Sequence, residues 1–288
     1  MKMDFKNVKL SDLTKEQLID VIKFQRRTIN SQENFLINIS HDLRSPVNSI
    51  LSVLQCLKYL NTDNSKEVKE KTNEYRKIIK RNSLKIIKLI DNLIDTTKLE
   101  GDNYHLNKTN LDIVNVVESI VDSIEVYANE KKINIIFDTN VEEFMINADL
   151  EAVDRIVMNL LSNAIKFSPV DEVIEVTVNA EENNVKISVK DNGIGIAEEE
   201  QKKIFNRFEQ ATNSKRVEGK GSGIGLDLVI YLVKSHGGKI QLNSKLNEGS
   251  EFIVTLPVGK LSEDKENHEL MSRNKVEQLE IEFSDIYL

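Results

Sequence analysis

The sequence is short of features that would place it in several common classes. One cysteine, Cys56, among 288 residues excludes an intrachain disulfide and fits a reducing, cytoplasmic setting. Cys56 lies in a helical pattern with no metal-ligand partner nearby, as an inert helix residue would. No apolar run approaches the roughly 18 residues that a membrane-spanning helix needs, so no transmembrane segment is expected. Met1 to Ser11 is polar and lacks the apolar stretch of a signal peptide. The chain also lacks a basic excess: its net charge of −8 argues against nucleic acid as a direct ligand. What remains is a chain long enough for two modest domains and a tail. It is 40% apolar and 30% charged, a balance that fits long exposed helices beside one compact domain.

Thr14-Lys15-Glu16-Gln17 has the form of a capping box and marks a helix start. Leu36, Ile39, Leu43, Val47, Ile50, Leu54 and Leu57 then recur at helical spacing, as do Tyr75, Ile79, Ile86, Ile90 and Leu93 after a turn-like Asn61 to Ser65. Two such seams form a helical hairpin that cannot bury both alone, so pairing with a second copy into a four-helix bundle is expected. Gly101-Asp102-Asn103 marks a boundary. Beyond it, residues 111–130 read as helix. Strands are expected at Ile133–Asp138, Met145–Ala148, Val173–Ala180, Val185–Lys190, Lys239–Asn243 and Phe252–Leu256, with a turn at Asn183-Asn184 and helices at about 149–167 and 223–236. The fold class is α+β: an N-terminal hairpin followed by a two-layer α/β sandwich. The boundaries are a polar lead-in over 1–30, the hairpin over 31–100, the sandwich over 101–260, and a linker and tail over 261–288. In that tail Leu279, Ile281 and Phe283 alternate, which predicts an added strand within Val276–Leu288.

Three groups of residues carry chemistry. His41 is two positions from both Ile39 and Leu43. Two helical steps turn by about 200°, so its imidazole faces away from the seam. Asp42 offers an acceptor to one ring nitrogen and leaves the other nucleophilic, Arg44 adds positive charge, and Ser45 shares the face of His41 one turn on. Pro46 removes a helical donor beside them. Asn159, Asn163 and Lys166 line one face of a later helix, next to Phe167. Amide oxygens suit a magnesium ion already carried by phosphates, and the lysine is a point charge for phosphate. Asp191 ends a strand and precedes Gly193, Gly195 and Ile196; its carboxylate can accept from the exocyclic amine of adenine. Gly221, Ser222, Gly223, Ile224, Gly225 and Leu226 read as a glycine-rich loop that opens a helix, a setting for phosphate. The polar stretch 209–220 between the glycine segments is a candidate lid. An imidazole acceptor and a nucleotide site on one chain imply phosphoryl transfer from ATP to His41.

In this order and spacing the segments resemble the sensor histidine kinases of two-component systems, over residues 31 to 258. The resemblance rests on the histidine box around His41, the asparagine box at 159–167, the glycine boxes at 191–196 and 221–226, and Ile204-Phe205-Asn206-Arg207-Phe208. It implies a dimerising hairpin and an ATP-binding domain of the gyrase and Hsp90 type. It also implies autophosphorylation of His41 with Asp42 as assisting base, and transfer to an aspartate on a response regulator receiver domain. Ser45 would orient water for regulator dephosphorylation. Asn163 would hold Mg2+ with help from Asn159, Lys166 would touch phosphate, Asp191 would read adenine and Phe167 would flank the base. Phe167 stands where Tyr is common, and Glu209-Gln210 where Tyr-Arg is common. Residues 1–30 are too few for a sensory domain, so input is expected from a separate sensory partner or from a longer kinase of which this chain is part. Two alternatives remain open: an ATP hydrolase or protein-serine kinase of the same nucleotide fold, and a non-catalytic ATP-sensing module. The first would want a glutamate at position 159, where Asn cannot act as a base. The second would not need an intact His41, Asn163 and Asp191.

Overall fold

The computed structural model describes residues 14–59, 66–100, 105–206, 209, 211, 212, 223, 225–261 and 274–285. Helix α1 (Lys15–Tyr59) starts at the expected capping box. The Thr14 amide donates to Gln17 Oε1 at 2.9 Å, and the Gln17 amide donates to Thr14 Oγ1 at 3.3 Å. The helix runs through Pro46 and packs on α2 (Lys66–Glu100). Where the two meet, Ile39 is buried against Leu43 of its own helix and Leu93 of α2. Apolar side chains remain open on both helices: Val47 and Leu54 of the first seam with Leu51 beside them, and Ile90 of the second with Ile87 and Ile94 beside it, are exposed. The turn expected at Asn61 to Ser65 and the boundary at Gly101 to Asn103 lie outside the described residues.

The second body is a sheet with helices on one face. Strands β2 (Asn134–Thr139), β4 (Val173–Ala180), β5 (Asn184–Asp191), β6 (Lys239–Lys245) and β7 (Gly249–Pro257) lie in the order β2-β4-β5-β7-β6. Only the β2–β4 pair is parallel. Ile174, Val176 and Val178 alternate with polar residues along β4 and face the helices, as do Val185, Ile187 and Val189 on β5. Against them lie α3 (Ile113–Glu130), α4 (Leu150–Phe167) and α6 (Gly225–Ser235). The short α5 (Glu198–Gln201) sits beside β6. One core joins both layers, with Ile120, Ile124, Ile156, Leu161 and Val254 fully or almost fully buried.

Two parts differ from the sequence reading. Residues 111–112 are not helix: β1 (Thr109–Asp112) pairs antiparallel with β3 (Met145–Ala148) in a separate two-stranded sheet. Asp112 ends that strand and caps α3, accepting from the Val114 amide at 3.1 Å and the Phe144 amide at 3.0 Å. The tail is not a strand. It forms α7 (Asn274–Glu282) and a 3-10 turn, Phe283–Asp285. Leu279 and Phe283 stand four residues apart, a spacing that satisfies both alternation and a helical stripe. Their burial against Tyr127 and the core decides in favour of the helix. Of the linker expected over 262–274, residues 262–273 lie outside the described residues, and Asn274 opens α7.

Candidate functional site

Helix α4 carries the asparagine segment and is fixed at both ends. Asp149 caps its start, accepting from the Ala152 amide at 2.9 Å through one oxygen and from the Asn107 amide at 2.7 Å through the other. The Asp149 amide in turn donates to His236 Nε2 at 3.1 Å. An acceptor nitrogen carries no proton, so the His236 proton is on Nδ1 and is donated to the Leu232 carbonyl at 2.8 Å. Burial holds His236 below the usual histidine range, in keeping with a neutral ring. At the far end of α4 the Lys131 ammonium donates to the carbonyls of Ile165 at 2.7 Å, Lys166 at 3.2 Å and Ser168 at 3.0 Å. Its three protons thus meet carbonyls that a helix end leaves without donors. Burial pushes the Lys131 ammonium down from its usual value.

Between these anchors, Ile156, Leu160, Leu161 and Ile165 face the core, while Asn159, Asn163, Lys166 and Phe167 are half-buried. Asn159 Nδ2 donates to the Arg155 carbonyl at 3.1 Å, which frees Oδ1 to face the start of α6. A Cβ on Gly225 would lie 2.2 Å from that oxygen, so a larger residue there would push the Asn159 amide out of its place. Lys166 Nζ lies 5.5 Å from the centre of the Phe167 ring.

Asp191 ends β5 and is 6% exposed. Its Oδ1 accepts from the Gly193 amide at 2.8 Å, and the Ser250 amide also donates to the carboxylate. Burial outweighs both donors and raises its pKa to about 6. A Cβ on Gly193 would meet the Phe167 carbonyl at 2.6 Å, and the Ile194 amide donates to that same carbonyl at 3.3 Å. The glycine turn is therefore pinned to the end of α4. Gly195 has φ +59°, and a Cβ there would strike the Lys245 carbonyl at 1.9 Å. The Ile196 amide donates to Ser244 Oγ at 2.9 Å, which fixes the turn on β6.

These contacts join Asn159, Phe167, Asp191, Gly193 and Gly225, with Asn163 and Lys166 on the same face of α4. Gly223 has φ +71° and Leu226 packs on the core. Gly221, Ser222 and Ile224, Arg207 and Phe208, and most of the stretch 209–220 lie outside the described residues. Among the described residues no three His, Cys, Asp or Glu side chains converge as a metal cage. A divalent cation would meet neutral amide oxygens here, a donor set that fits magnesium arriving with phosphate oxygens and water.

His41 stands apart on α1, 78% exposed, with Nδ1 3.5 Å from Asp42 Oδ1. Ser45 is exposed one turn on, while Pro46 beside it is buried. The sequence reading had no signal for Lys131. It also missed Gly249, whose φ of +95° brings its backbone so near β5 that a Cβ would lie 2.0 Å from the Asp191 carbonyl. The positive φ explains why a glycine follows Asn247-Glu248, and glycine in that turn was the signal to read.

Residues 31–102 match the family model of the His Kinase A (phospho-acceptor) domain, and residues 148–260 match that of the Histidine kinase-, DNA gyrase B-, and HSP90-like ATPase. The chain belongs to the histidine kinases. It is similar to the sensor histidine kinase WalK of Bacillus subtilis, 28% identical over 242 residues that make up 83% of this chain and 39% of that protein. It is also similar to the histidine protein kinase DivJ of Caulobacter vibrioides, 27% identical over 254 residues, 86% of this chain and 42% of that one. The chain thus spans about two fifths of the length of these relatives. Its fold resembles that of the Acinetobacter baumannii histidine kinase AdeS, with a TM-score of 0.56 at 20% identity, covering 76% of this chain and 98% of that one. As in the sequence reading, a helical region precedes a mixed-sheet α/β body. No helix among the described residues is long and apolar enough to cross a membrane.

Proposed function

We propose that this chain autophosphorylates His41 from ATP and passes the phosphoryl group to an aspartate of a response regulator receiver domain. One observation carries the reading: His41 projects into solvent from α1 beside a carboxylate, on the same chain as a buried Asp191 pinned to a glycine turn and to the asparagine helix. Asp191 accepts from the adenine amine, for which a carboxylate with lone pairs left over is suited. Phe167 flanks the base, and Lys166 meets phosphate. Gly193, Gly195 and Ile196 wall the base side. Gly221, Ser222, Gly223, Ile224, Gly225 and Leu226 give the phosphate side. Asn163, with Asn159 beside it, would hold Mg2+, which supplies positive charge at the phosphates.

With the His41 proton on Nδ1 and directed to Asp42, the Nε2 lone pair attacks the γ-phosphorus. The bond from that phosphorus to the β,γ-bridging oxygen breaks and ADP leaves. Asp42 accepts the Nδ1 proton as the ring gains charge, and the 3.5 Å separation shortens at that moment. Catalysis is then chiefly positioning and charge neutralisation. The receiver aspartate attacks the same phosphorus and returns His41 to its starting state. Ser45 holds a water for the opposing hydrolysis of the phosphoregulator. A second copy of the chain covers Val47, Leu51, Leu54, Ile87, Ile90 and Ile94 to complete a four-helix bundle, since so many exposed apolar side chains on one hairpin want a partner. The input comes from a separate sensory partner or from further residues of a longer kinase, and the setting is cytoplasmic.

Labelled ATP and Mg2+ test the reading. Acid-labile, alkali-stable label on the protein, chased onto a receiver domain, is the expected result. Free phosphate without labelled protein would point to a hydrolase, and no turnover to a sensing module. Light scattering of the full chain should give twice the chain mass, and Leu51→Glu should halve it.

A further inference from the structure

The reaction leaves one part of the chain unused, the helix at its C-terminus. Leu279 is 5% exposed and Phe283 is fully buried, and both belong to the core of the sandwich rather than to a separate cluster. The Phe283 ring stacks on Tyr127 of α3, with centroids 4.9 Å apart. Glu280 and Glu282, two positions and about 200° apart, flank this buried stripe, and both reach α2. Lys80 of α2 donates to Glu280 Oε1 at 2.6 Å. Lys88 lies 3.4 Å from Glu282 Oε1 and donates to the Glu282 carbonyl at 2.5 Å. The Lys88–Glu282 pair is largely shielded, at 16% and 19% exposure, where attraction is less screened than at an open surface. Two lysines more than two turns apart on the hairpin thus converge on a single turn of the tail.

The place of this grip matters. Leu93 packs level with Ile39 and Leu43, the residues that flank His41. Lys88 is five residues from Leu93, about 7.5 Å along the helix axis. The tail therefore fastens the sandwich to α2 close to the level of the acceptor, yet His41 itself remains 78% exposed. A nucleotide-carrying body must meet that imidazole to transfer phosphate and must then leave it clear for a receiver domain. A fastening that holds the body on α2 with His41 open opposes the first of these movements.

We propose that Asn274–Asp285 is an acidic docking helix whose surface is the basic ridge of α2 together with Tyr127. Docked, it holds the ATP-binding body in a resting position, and its release speeds phosphoryl transfer to His41. The proposal rests on the kinase reading for its consequence, but not for the docking itself. Phe283 is part of the core, so the variants leave it in place and act on charge. In the full chain, Glu280→Lys with Glu282→Lys turns both attractions into repulsions. Adding Lys80→Glu and Lys88→Glu restores them with opposite sign.

Two measurements are made on wild type, the reversed variant and the swapped variant. Amide hydrogen exchange over 274–285 should be slow in wild type, faster by about tenfold in the reversed variant, and slow again in the swap. The initial rate of acid-labile label at saturating ATP should rise about fivefold in the reversed variant and fall back in the swap, as a population shift away from the resting position requires. Wild-type exchange as fast as in unstructured chain would overturn the docking. Protection that changes as expected with a labelling rate that stays level or drops would overturn the resting role. If wild type takes no label at all, the kinase reading and the resting role fall together, while the exchange data still decide the docking.

Discussion

The hairpin and the sandwich solve opposite problems with the same kind of apolar periodicity. The sandwich closes its own core: α3, α4 and α6 bury nearly all their apolar faces on the sheet. The hairpin does not, and leaves Leu51 at 52% and Leu54 at 44% exposure. Their functional groups follow suit. The sandwich keeps a carboxylate out of water, where burial raises its pKa and makes one hydrogen-bond donor count. The hairpin keeps an imidazole in water, where other molecules can reach it. Recognition wants the first environment and transfer wants the second, and a chain that needs both gains from separating them.

The sharpest way to break this division is at His41. His41→Gln should abolish acid-labile label while leaving the ATP dissociation constant within about twofold of wild type, since the two sites lie on different bodies. Label that persists would assign the acceptor to another histidine. Asp191→Asn should come next, weakening ATP binding by about 10- to 100-fold, the range for losing a buried charge-assisted hydrogen bond. Selection of adenine over guanine should fall with it, because an amide can donate as well as accept. Equal affinities for the two nucleotides in wild type would remove Asp191 from the recognition role.

Proton concentration sharpens the comparison without mutation. Asp191 has a pKa of about 6 in the folded protein, above its ordinary 3.8. The folded state therefore binds this proton more readily than the unfolded one. Its contribution to stability is full below pH 3.8 and is lost as pH rises through about 6. In the proposed role Asp191 accepts from adenine in its ionised form, so ATP and the proton would compete: affinity measured by calorimetry should fall about tenfold from pH 7 to pH 5 in wild type. It should stay level in Asp191→Asn. His236 has the opposite sign. Its pKa is lowered on folding, so its contribution is full above the ordinary 6.5 and declines as pH falls below that value. The smallest effect is expected at Lys131. Lys131→Met should raise the KM for ATP about fivefold with little change in kcat, because it loosens the end of α4 that carries Lys166 and Phe167. Lys131→Arg should recover part of that loss. A change confined to kcat would show that Lys131 does not position the nucleotide residues.

Much of this molecule was legible in its residues, and the exceptions share a cause. Strands β3 and β4 fall where alternation placed them, at Met145–Ala148 and Val173–Ala180, because one face of each is core and the other polar. The exposure of His41 follows from its angular offset from Ile39 and Leu43. Strand β1 escaped notice because it carries one apolar residue, Leu111, and runs straight into the apolar spacing of α3 at Ile113. The tail was misread because Leu279 and Phe283 fit two periods at once, and only their partners, Tyr127 and the core, choose between them. Lys131 carried no signal for a related reason. A lysine that satisfies carbonyls 34, 35 and 37 residues away looks in sequence like any surface lysine. Local pattern reports local structure, and these residues take their meaning from distant chain.

Asp149 and Lys131 also give α4 an unusual mechanical standing. A helix held at one end is a cantilever, and its free end can soften well before the rest of the molecule. This one is a beam clamped at both supports, with His236 bracing one of them. Its middle cannot loosen until a support gives way, and both supports are tied to the core. On heating, the nucleotide site and the sandwich should therefore fail together, at one temperature, rather than the site fading first.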